Sequence, residues 1–295
     1  MIFKGVLTAL ITPFKNGKVD FEALKILLDH QASAVDGVVV GGSTGEGSSL
    51  FDEEYYELIS FAANYAGKKT KIIAGMGAAS TIMAVDKVLT LCKIQNLAGL
   101  MCTVPHYVKP EQEGLYQHFE AVSHVSKLPI MLYIHPGRTG CNMSDDVLLR
   151  LAKLNNVISV KDASGDMEKP LRILPKLSPD FTVLIGDDAG VLSYNANGGS
   201  GCVSVMANIA PKLCKKIDTL WREGDLSGAL ALQQSIMPAI EVIFAESNPI
   251  GVKYALSKLG LCDGQIRLPL TKASSPAAAN IDKALKALME IEANV

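Results

Sequence analysis

The segment 157–162, VISVKD, carries a lysine at the end of an apolar run. Lys161 follows residues typical of a buried strand, and a polar, glycine-containing stretch, ASGD, comes after the segment. Burial disfavours the ammonium form of a lysine, and the neutral amine can attack a carbonyl carbon to form a Schiff base. From its position alone, Lys161 could equally pack its stem at the edge of the core and keep its charge in water.

Hydroxyl groups near such a lysine would favour the catalytic interpretation. A carbinolamine gains and loses protons on its way to an imine, so a Schiff-base lysine needs groups that relay protons. Tyr133 lies in one apolar run, LPIMLYI, and Ser43 and Thr44 follow another, GVVVGG. The amides and hydroxyls of residues 43 and 44 could hold the carboxylate of a keto acid. Taken singly, small hydroxyls are also turn formers, and Tyr133 could be a core aromatic residue.

Eight apolar runs of strand length precede residue 208, and stretches with helical periodicity, such as 20–33, 52–66 and 144–154, lie between them. Continuous apolar strands that alternate with amphipathic helices indicate a parallel sheet covered on both faces. Eight such units favour an α/β fold of the closed (β/α)8 TIM barrel type, with an open doubly wound sheet as the alternative. The runs are 5–12, 37–42, 71–77, 97–104, 128–134, 157–162, 181–187 and 201–207.

The sequence from residue 211 onward is typical of helices only. We therefore predict a catalytic barrel over residues 1–224 and a C-terminal helical extension over 225–295. In a TIM barrel the chemistry takes place at the carboxyl ends of the strands. Ser43, Thr44, Tyr133 and Lys161 all lie at such ends, so the predicted fold brings them to one side of the molecule.

The composition argues against several classes of function. The 28 basic and 30 acidic residues give a net charge of −2, and no basic block suited to nucleic acid occurs. The six cysteines lack paired spacing, which predicts reduced thiols and a cytoplasmic location. We expect no membrane span and no cleaved leader. Asp187 and Asp188 are adjacent, but no third ligand at suitable spacing supports a metal site.

Motifs along the whole chain carry a family resemblance. In order they are GVLTALITPF, GGSTGEG, PHYVKPEQEGLYQHF, LYIHPGRTG, SVKDASGD, GDDAGVL, GCVSVMANIAP and NPIGVKYAL. In order and spacing they are similar to those of the dihydrodipicolinate synthase family, which belongs to the pyruvate-dependent class I aldolases. The resemblance implies a lyase of lysine and diaminopimelate biosynthesis that condenses pyruvate with L-aspartate 4-semialdehyde to 4-hydroxy-tetrahydrodipicolinate. It also implies a homotetramer built as a dimer of dimers, and no cofactor.

The resemblance assigns the catalytic roles. Lys161 is implied as the Schiff-base lysine for pyruvate and Tyr133 as the central proton relay. Ser43 and Tyr107 are implied to complete the hydroxyl chain, with Tyr107 reaching into the neighbouring subunit's site across a tight dimer. Ser43 departs from the family pattern, which most often has threonine there, and it lacks the methyl group that restricts the threonine rotamer.

The resemblance also assigns substrate contacts. Thr44 is implied to hold the pyruvate carboxylate, and Gly186 and Val203 to offer backbone groups near the bound substrate. Arg138 is implied to receive the carboxylate of the semialdehyde, because a guanidinium fork suits a short aldehyde with a carboxylate. Two alternatives stay open: a sister aldolase that acts on N-acetylneuraminate or a deoxy sugar acid, and a silent homologue that serves as a binding or structural oligomer. Ser43 and His135, which depart from the family pattern, would be signs of the second.

Two further expectations concern residues outside the chemistry. Glu46 is expected to be structural, bonding loop amides near Ser43. In family members that L-lysine inhibits, the resemblance implies a lysine pocket at the dimer interface, and we predict weak or no inhibition here because the aligned residues offer few charged partners. The aligned residues are Asp52, Tyr55, Ala79, Met83 and His106.

Overall fold

Eight parallel strands close into a barrel in the computed structural model, which describes residues 2–295. Each strand pairs with the next one along the chain, and the last pairs with the first. The α/β prediction of a (β/α)8 barrel is therefore confirmed, and each of the eight apolar runs contains one strand. The strands are β1 Gly5–Ala9, β2 Gly37–Val40, β3 Ile72–Met76, β4 Leu97–Thr103, β5 Ile130–Ile134, β6 Val157–Asp162, β7 Thr182–Ile185 and β8 Gly201–Ser204.

Helices follow the strands and cover the outside of the barrel, which is why almost every strand residue is buried. A two-stranded hairpin, Phe14–Lys15 with Lys18–Val19, follows β1 and was not predicted. The helices are α1 Phe21–Ala32, α2 Asp52–Ala66, α3 Thr81–Leu91, α4 Gln112–Val125, α5 Pro136–Thr139, α6 Asp145–Leu151, α7 Lys169–Ile173, α8 Val191–Ala196, α9 Pro211–Glu223, α10 Leu226–Ile243, α11 Ile250–Lys258 and α12 Ser275–Ala293.

Side-chain caps define where several helices begin. Asp20 accepts a hydrogen bond from the amide of Ala23 at the start of α1, as expected of an N-cap aspartate. Ser274 does the same for the amide of Ala277, so that α12 begins at Ser275. This start is earlier than residue 280, where the apolar periodicity begins.

The chain beyond α9 forms a helical layer. Helix α10 packs against α9 and α12, and α11 packs against α12 and the 3-10 turn Met206–Asn208 that follows β8. By length and composition alone, the 18 residues of α10 could cross a membrane, with a mean hydropathy of 1.2. The expectation that no such segment exists is therefore wrong by that measure, although α10 is packed on other helices here. The domain boundary at residue 224 stays a prediction.

Neighbouring strands align two of the residues that are predicted to be catalytic. In the register of the sheet, Tyr133 lies beside Thr103 on one side and Lys161 on the other. Lys161 in turn lies beside Leu184. Because these positions are close to the carboxyl ends of β5 and β6, their side chains reach the same end of the barrel.

Candidate active site

A cavity of about 410 Å³ opens at the carboxyl ends of the strands. Six of the eight residues predicted for the site line it, together with His135 and a segment between α10 and α11. The lining residues are Ser43, Thr44, Tyr133, His135, Arg138, Lys161, Gly186, Val205, Phe244, Ala245, Glu246, Ser247 and Asn248.

Lys161 is only 5% exposed and lines the floor of this cavity. Its Nζ lies 4.1 Å from the centroid of the Tyr133 ring. Within residues 2–295, Nζ has neither a hydrogen-bond partner nor a carboxylate partner. Gly186 makes room for the side chain, because a Cβ at that position would lie 2.8 Å from Lys161 Cε.

Two other buried lysines differ from Lys161 in having carboxylate partners. Lys169 Nζ lies 3.2 Å from a carboxylate oxygen of Asp162, and Lys253 donates to Glu46. Both pairs are buried, so each cation is held by its partner in the low-dielectric interior. Sequence reasoning missed them, since a lysine in an amphipathic helix is usually exposed. Lys161 is thus the only buried lysine in residues 2–295 without such a pair.

His135 lies beside this lysine in a neutral form. Burial lowers the pKa of the imidazole, and the nearby cations Arg138 and Lys161 lower it further. Its ring meets the ring of Tyr133 edge-on, with centroids 6.0 Å apart. Nδ1 of His135 is buried without a hydrogen-bond partner in residues 2–295. His135 therefore stands in the cavity wall as an uncharged polar group.

The loop that carries Ser43 and Thr44 is fastened by Glu46. The carboxylate of Glu46 accepts hydrogen bonds from Lys253 Nζ and, at 3.0 Å, from the amide of Arg267. The structural role expected for Glu46 is confirmed, but the expected partners are wrong. The carboxylate reaches α11 and the segment after it instead of amides near Ser43, because the residue has a left-handed backbone with φ 52° and is turned into the core.

Asn248 holds the guanidinium of Arg138 in the cavity lining. Arg138 Nη2 donates to the backbone carbonyl of Asn248 at 3.0 Å, and Asn248 Nδ2 donates to Thr44 Oγ1 at 2.9 Å. Asn248 was not predicted as a site residue. The only signal for it in the sequence was its place at the start of the motif NPIGVKYAL.

Two of the predicted residues lie outside the cavity. Tyr107 follows β4, has a φ of 72° and is 89% exposed, and it is not among the residues that line the cavity. Val203 lies within β8, where it pairs with Leu7, and Val205 lines the cavity instead. Val205 reaches it because it comes after the last residue of the strand, at the open end of the barrel. The roles of Tyr107 and Val203 stay predictions.

Asp188 is a structural carboxylate in the loop after β7. It is buried and accepts hydrogen bonds from Ser204 Oγ and from the amides of Val205 and Met206, at 2.9 and 3.2 Å. Burial raises the pKa of this carboxyl group, while these donors oppose the rise. Asp188 thereby fixes the turn that presents Val205 to the cavity. No group of three or more metal-ligating side chains is found within residues 2–295.

Most of the residues aligned with the lysine pocket of other family members are apolar or already have a partner within this chain. Tyr55 is buried and its hydroxyl donates to the carbonyl of Gly75 at 3.1 Å. Asp52 lies 3.3 Å from Lys87 Nζ. Met83 is exposed on α3 and offers no charge. A free amino acid would therefore find few partners for its own two charges in this chain.

Comparison with known proteins identifies the family to which this chain is similar. A model of the dihydrodipicolinate synthetase family matches residues 2–288. A 4-hydroxy-tetrahydrodipicolinate synthase from Rickettsia bellii is 45% identical over 97% of this chain and 98% of its own length.

Solved structures agree with the sequence relatives. The 4-hydroxy-tetrahydrodipicolinate synthase of Methylacidiphilum fumariolicum SolV has a TM-score of 0.95 at 36% identity, covering 99% of this chain and 98% of that one. A structure described as the first monomeric dihydrodipicolinate synthase variant has a TM-score of 0.95 at 33% identity, covering 98% and 97%. With a family model spanning almost the entire chain and close relatives of the same length, this protein belongs to the dihydrodipicolinate synthetase family.

Proposed function

We propose that Lys161 is the Schiff-base residue of this enzyme and that the cavity around it is the active site. The enzyme is a class I aldolase-type lyase that condenses pyruvate with L-aspartate 4-semialdehyde in lysine biosynthesis. The observation that carries the assignment is the contrast among the buried lysines. Lys169 and Lys253 have carboxylate partners, whereas Lys161 lacks one and lines the cavity. An amine that lines the cavity and has no carboxylate partner can reach the carbonyl carbon of a bound keto acid.

The first step is imine formation. Nζ of Lys161 attacks the carbonyl carbon of pyruvate, a carbon–nitrogen bond forms, and the carbonyl oxygen leaves as water after gaining protons. Tyr133 is suited to relay those protons, because its ring lies against the Lys161 amine and its side chain lines the same cavity. Ser43, also in the lining, offers the next hydroxyl.

The second step forms the carbon–carbon bond. The imine withdraws electrons, so a methyl proton of the bound pyruvate passes to the hydroxyl relay, for which Tyr133 is suited, and an enamine forms. The enamine carbon attacks the aldehyde carbon of the semialdehyde, and the aldehyde oxygen takes up a proton. The amino group of the same substrate then attacks the imine carbon, displaces the amine of Lys161 and closes the ring.

Two groups in the cavity lining are suited to the two carboxylates. Thr44 is buried in the loop that follows β2 and can donate its hydroxyl proton to the carboxylate of pyruvate. Arg138 is exposed at the mouth, where an arriving semialdehyde would meet its guanidinium. Gly186 and Val203 are proposed to offer backbone groups to bound pyruvate, and a Cβ at position 186 would lie 2.8 Å from Lys161 Cε.

The oligomer is a separate part of the proposal. Large apolar side chains are exposed on three adjacent connections, those that follow β2, β3 and β4, and such a surface favours a partner. We propose that it forms the tight dimer, that Tyr107 enters the partner's site from there, and that two dimers make a homotetramer. The side chains are Phe51, Ile82, Met83, Tyr107 and Val108. One solved relative is described as a monomeric variant, so the assembly needs direct measurement.

A cytoplasmic location is likewise proposed. All six cysteines are free thiols. Free thiols are compatible with a reducing compartment, and the relatives are named for a biosynthetic reaction.

Borohydride reduction in the presence of pyruvate tests the active-site assignment. We expect a pyruvate adduct on the peptide that contains Lys161, and none on the peptides that contain Lys169 and Lys253. The Lys161→Ala variant should lose both trapping and turnover while it keeps the wild-type circular dichroism spectrum. Modification at another lysine, or at none, would overturn the mechanism.

A further inference from the structure

Asn248 forms hydrogen bonds with two other residues of the cavity lining. It lies between α10 and α11 and lines the cavity. Its side-chain Nδ2 donates to Thr44 Oγ1 at 2.9 Å, and its backbone carbonyl accepts from Arg138 Nη2 at 3.0 Å. The residue thus connects the group suited to pyruvate with the group suited to the semialdehyde, through two different parts of its own structure.

The side-chain contact settles the direction of the Thr44 hydroxyl. A threonine hydroxyl has one proton and two acceptor lone pairs. When the oxygen accepts a hydrogen bond from Asn248 Nδ2, that lone pair is used and the proton is free to point elsewhere. A pyruvate carboxylate offers only acceptors, so it needs the hydroxyl in this donating orientation.

The side-chain oxygen of Asn248 is expected to lower the free energy of unfolding. Oδ1 is buried without a hydrogen-bond partner in residues 2–295. A buried acceptor left unpaired disfavours folding, and local costs of this kind are expected where a residue serves function. Asn248 therefore contributes one side-chain hydrogen bond and one unpaired oxygen, which makes it a poor stabiliser of the fold.

Both segments that meet at this contact are anchored nearby. Glu46, two residues after Thr44, pairs with Lys253, which lies five residues after Asn248. The pair is buried and the carboxylate also accepts from the amide of Arg267. The loop and the segment before α11 are consequently fixed to each other, so a change of the Asn248 side chain alters the orientation of the hydroxyl more than the position of the backbone.

We propose that Asn248 is a positioning residue that acts for the two substrates separately. Its side-chain amide orients the Thr44 hydroxyl toward the carboxylate of pyruvate, and its backbone carbonyl holds Arg138 for the semialdehyde. This inference rests on the active-site assignment made above. It predicts that replacing the side chain affects pyruvate alone, because the carbonyl that holds Arg138 remains.

Steady-state kinetics with each substrate varied in turn test the proposal. We expect Asn248→Ala to raise the KM for pyruvate about tenfold and to leave the KM for the semialdehyde and kcat within about twofold. Asn248→Asp keeps the shape of the side chain, but its carboxylate accepts the Thr44 proton and repels the substrate anion. The rise should then reach about a hundredfold, larger than for alanine.

A double-mutant cycle shows whether the effect passes through Thr44. In a Thr44→Val background, which removes the hydroxyl at nearly constant volume, Asn248→Ala should change the pyruvate KM by less than about twofold. The matched control is Asn197→Ala: Asn197 is half-buried and donates one hydrogen bond of 2.9 Å, to the carbonyl of Met167, away from the cavity. Asn197→Ala should leave both KM values unchanged.

Several results would overturn the proposal. Equal rises in both KM values, a milder effect of aspartate than of alanine, or additive effects with Thr44→Val would each do so. Should Asn248→Ala fail to fold, Asn248→Asp carries the kinetic test alone, and thermal unfolding of each variant checks folding. Borohydride trapping separates the active-site assignment from the role of Asn248. If the wild type does not trap pyruvate, the active-site assignment fails. If the wild type and Asn248→Ala trap it at the same pyruvate concentration, only the role of Asn248 fails.

Discussion

A single methyl group at position 186 should interfere with the reactive amine. Gly186 follows the last residue of β7, and its backbone lies outside the left-handed region, so alanine meets no conformational barrier there. The added Cβ would lie 2.8 Å from Lys161 Cε and 2.9 Å from Ala163 Cβ. Ala163 Cβ is attached directly to the backbone and moves little, whereas Cε lies near the end of a flexible chain. A movement of the Lys161 side chain relieves the first contact, whereas the second requires a shift of the backbone at residue 186 or residue 163.

The size of the effect follows from these distances. Two carbon atoms prefer a separation of about 3.5 to 4.0 Å, so Cε must shift by at least about 0.7 Å, and the attached Nζ shifts with it. A displacement of that order at a reacting atom can reduce the rate about 10- to 100-fold. The overpacked site should also lose about 1 to 3 kcal/mol of unfolding free energy.

The measurement is the rate of imine trapping with pyruvate and borohydride, with kcat/KM for both substrates and urea unfolding alongside. The matched control is Gly77→Ala, also at the carboxyl end of a strand, where the new Cβ would meet Thr103 Cβ at an ordinary 3.5 Å. Gly77→Ala should trap pyruvate at the wild-type rate. If Gly186→Ala also traps at the wild-type rate and unfolds at the same urea concentration, the crowding argument is refuted.

Four further predictions concern the second substrate, the dimer, regulation and pH. Arg138→Ala should weaken apparent semialdehyde binding by about 2 kcal/mol in steady-state kinetics while pyruvate trapping persists, and an equal loss for both substrates would contradict its role. Inactive Tyr107→Phe and Lys161→Ala chains, mixed under conditions of proven subunit exchange, should recover activity, since a hybrid dimer contains one intact site; no recovery would argue against a shared site. L-lysine at millimolar concentration should inhibit the initial rate little, and saturating micromolar inhibition would refute this. Burial lowers the pKa of His118 from 6.5 to about 4, so the free energy of unfolding should fall by up to about 3 kcal/mol as the pH drops between these values. In urea unfolding, His118→Gln should reduce this dependence on pH, and an unchanged pH dependence would contradict the prediction.

The barrel could be predicted because a strand buried on both faces forms a continuous apolar run. The bounds of β6, Val157–Asp162, match the predicted segment for that reason. At β1 the apolar run continues to Thr12 but the strand ends at Ala9: the amide of Leu10 donates one more hydrogen bond, to the carbonyl of Val39 at 2.9 Å, and both Leu10 and Ile11 stay buried beyond the strand. Hydrophobicity reports burial, and it therefore overestimates the length of a strand whose end turns into the core.

The lysine and hydroxyl groups of the site could be predicted because each stands at a strand end, a position that the sequence itself marks. Asn248 could not, because its role depends on a contact with Thr44, 204 residues away. Lys253 could not either, since its partner Glu46 is 207 residues away and a lysine on a short helix gives no sign of burial. Contacts of this kind depend on the closed fold and leave no periodic signal.

The buried ion pair of Glu46 and Lys253 joins the barrel to the C-terminal helices. A barrel cut after residue 224 would lose both partners of the Glu46 carboxylate, the Lys253 ammonium and the amide of Arg267. Removing one partner of a buried ion pair destabilises a protein by about 3 to 5 kcal/mol, a large share of the stability of an ordinary domain. The loop that carries Ser43 and Thr44 should therefore open together with the C-terminal helices as one cooperative unit in native-state hydrogen exchange, and the barrel is a poor candidate for a free-standing scaffold in protein engineering.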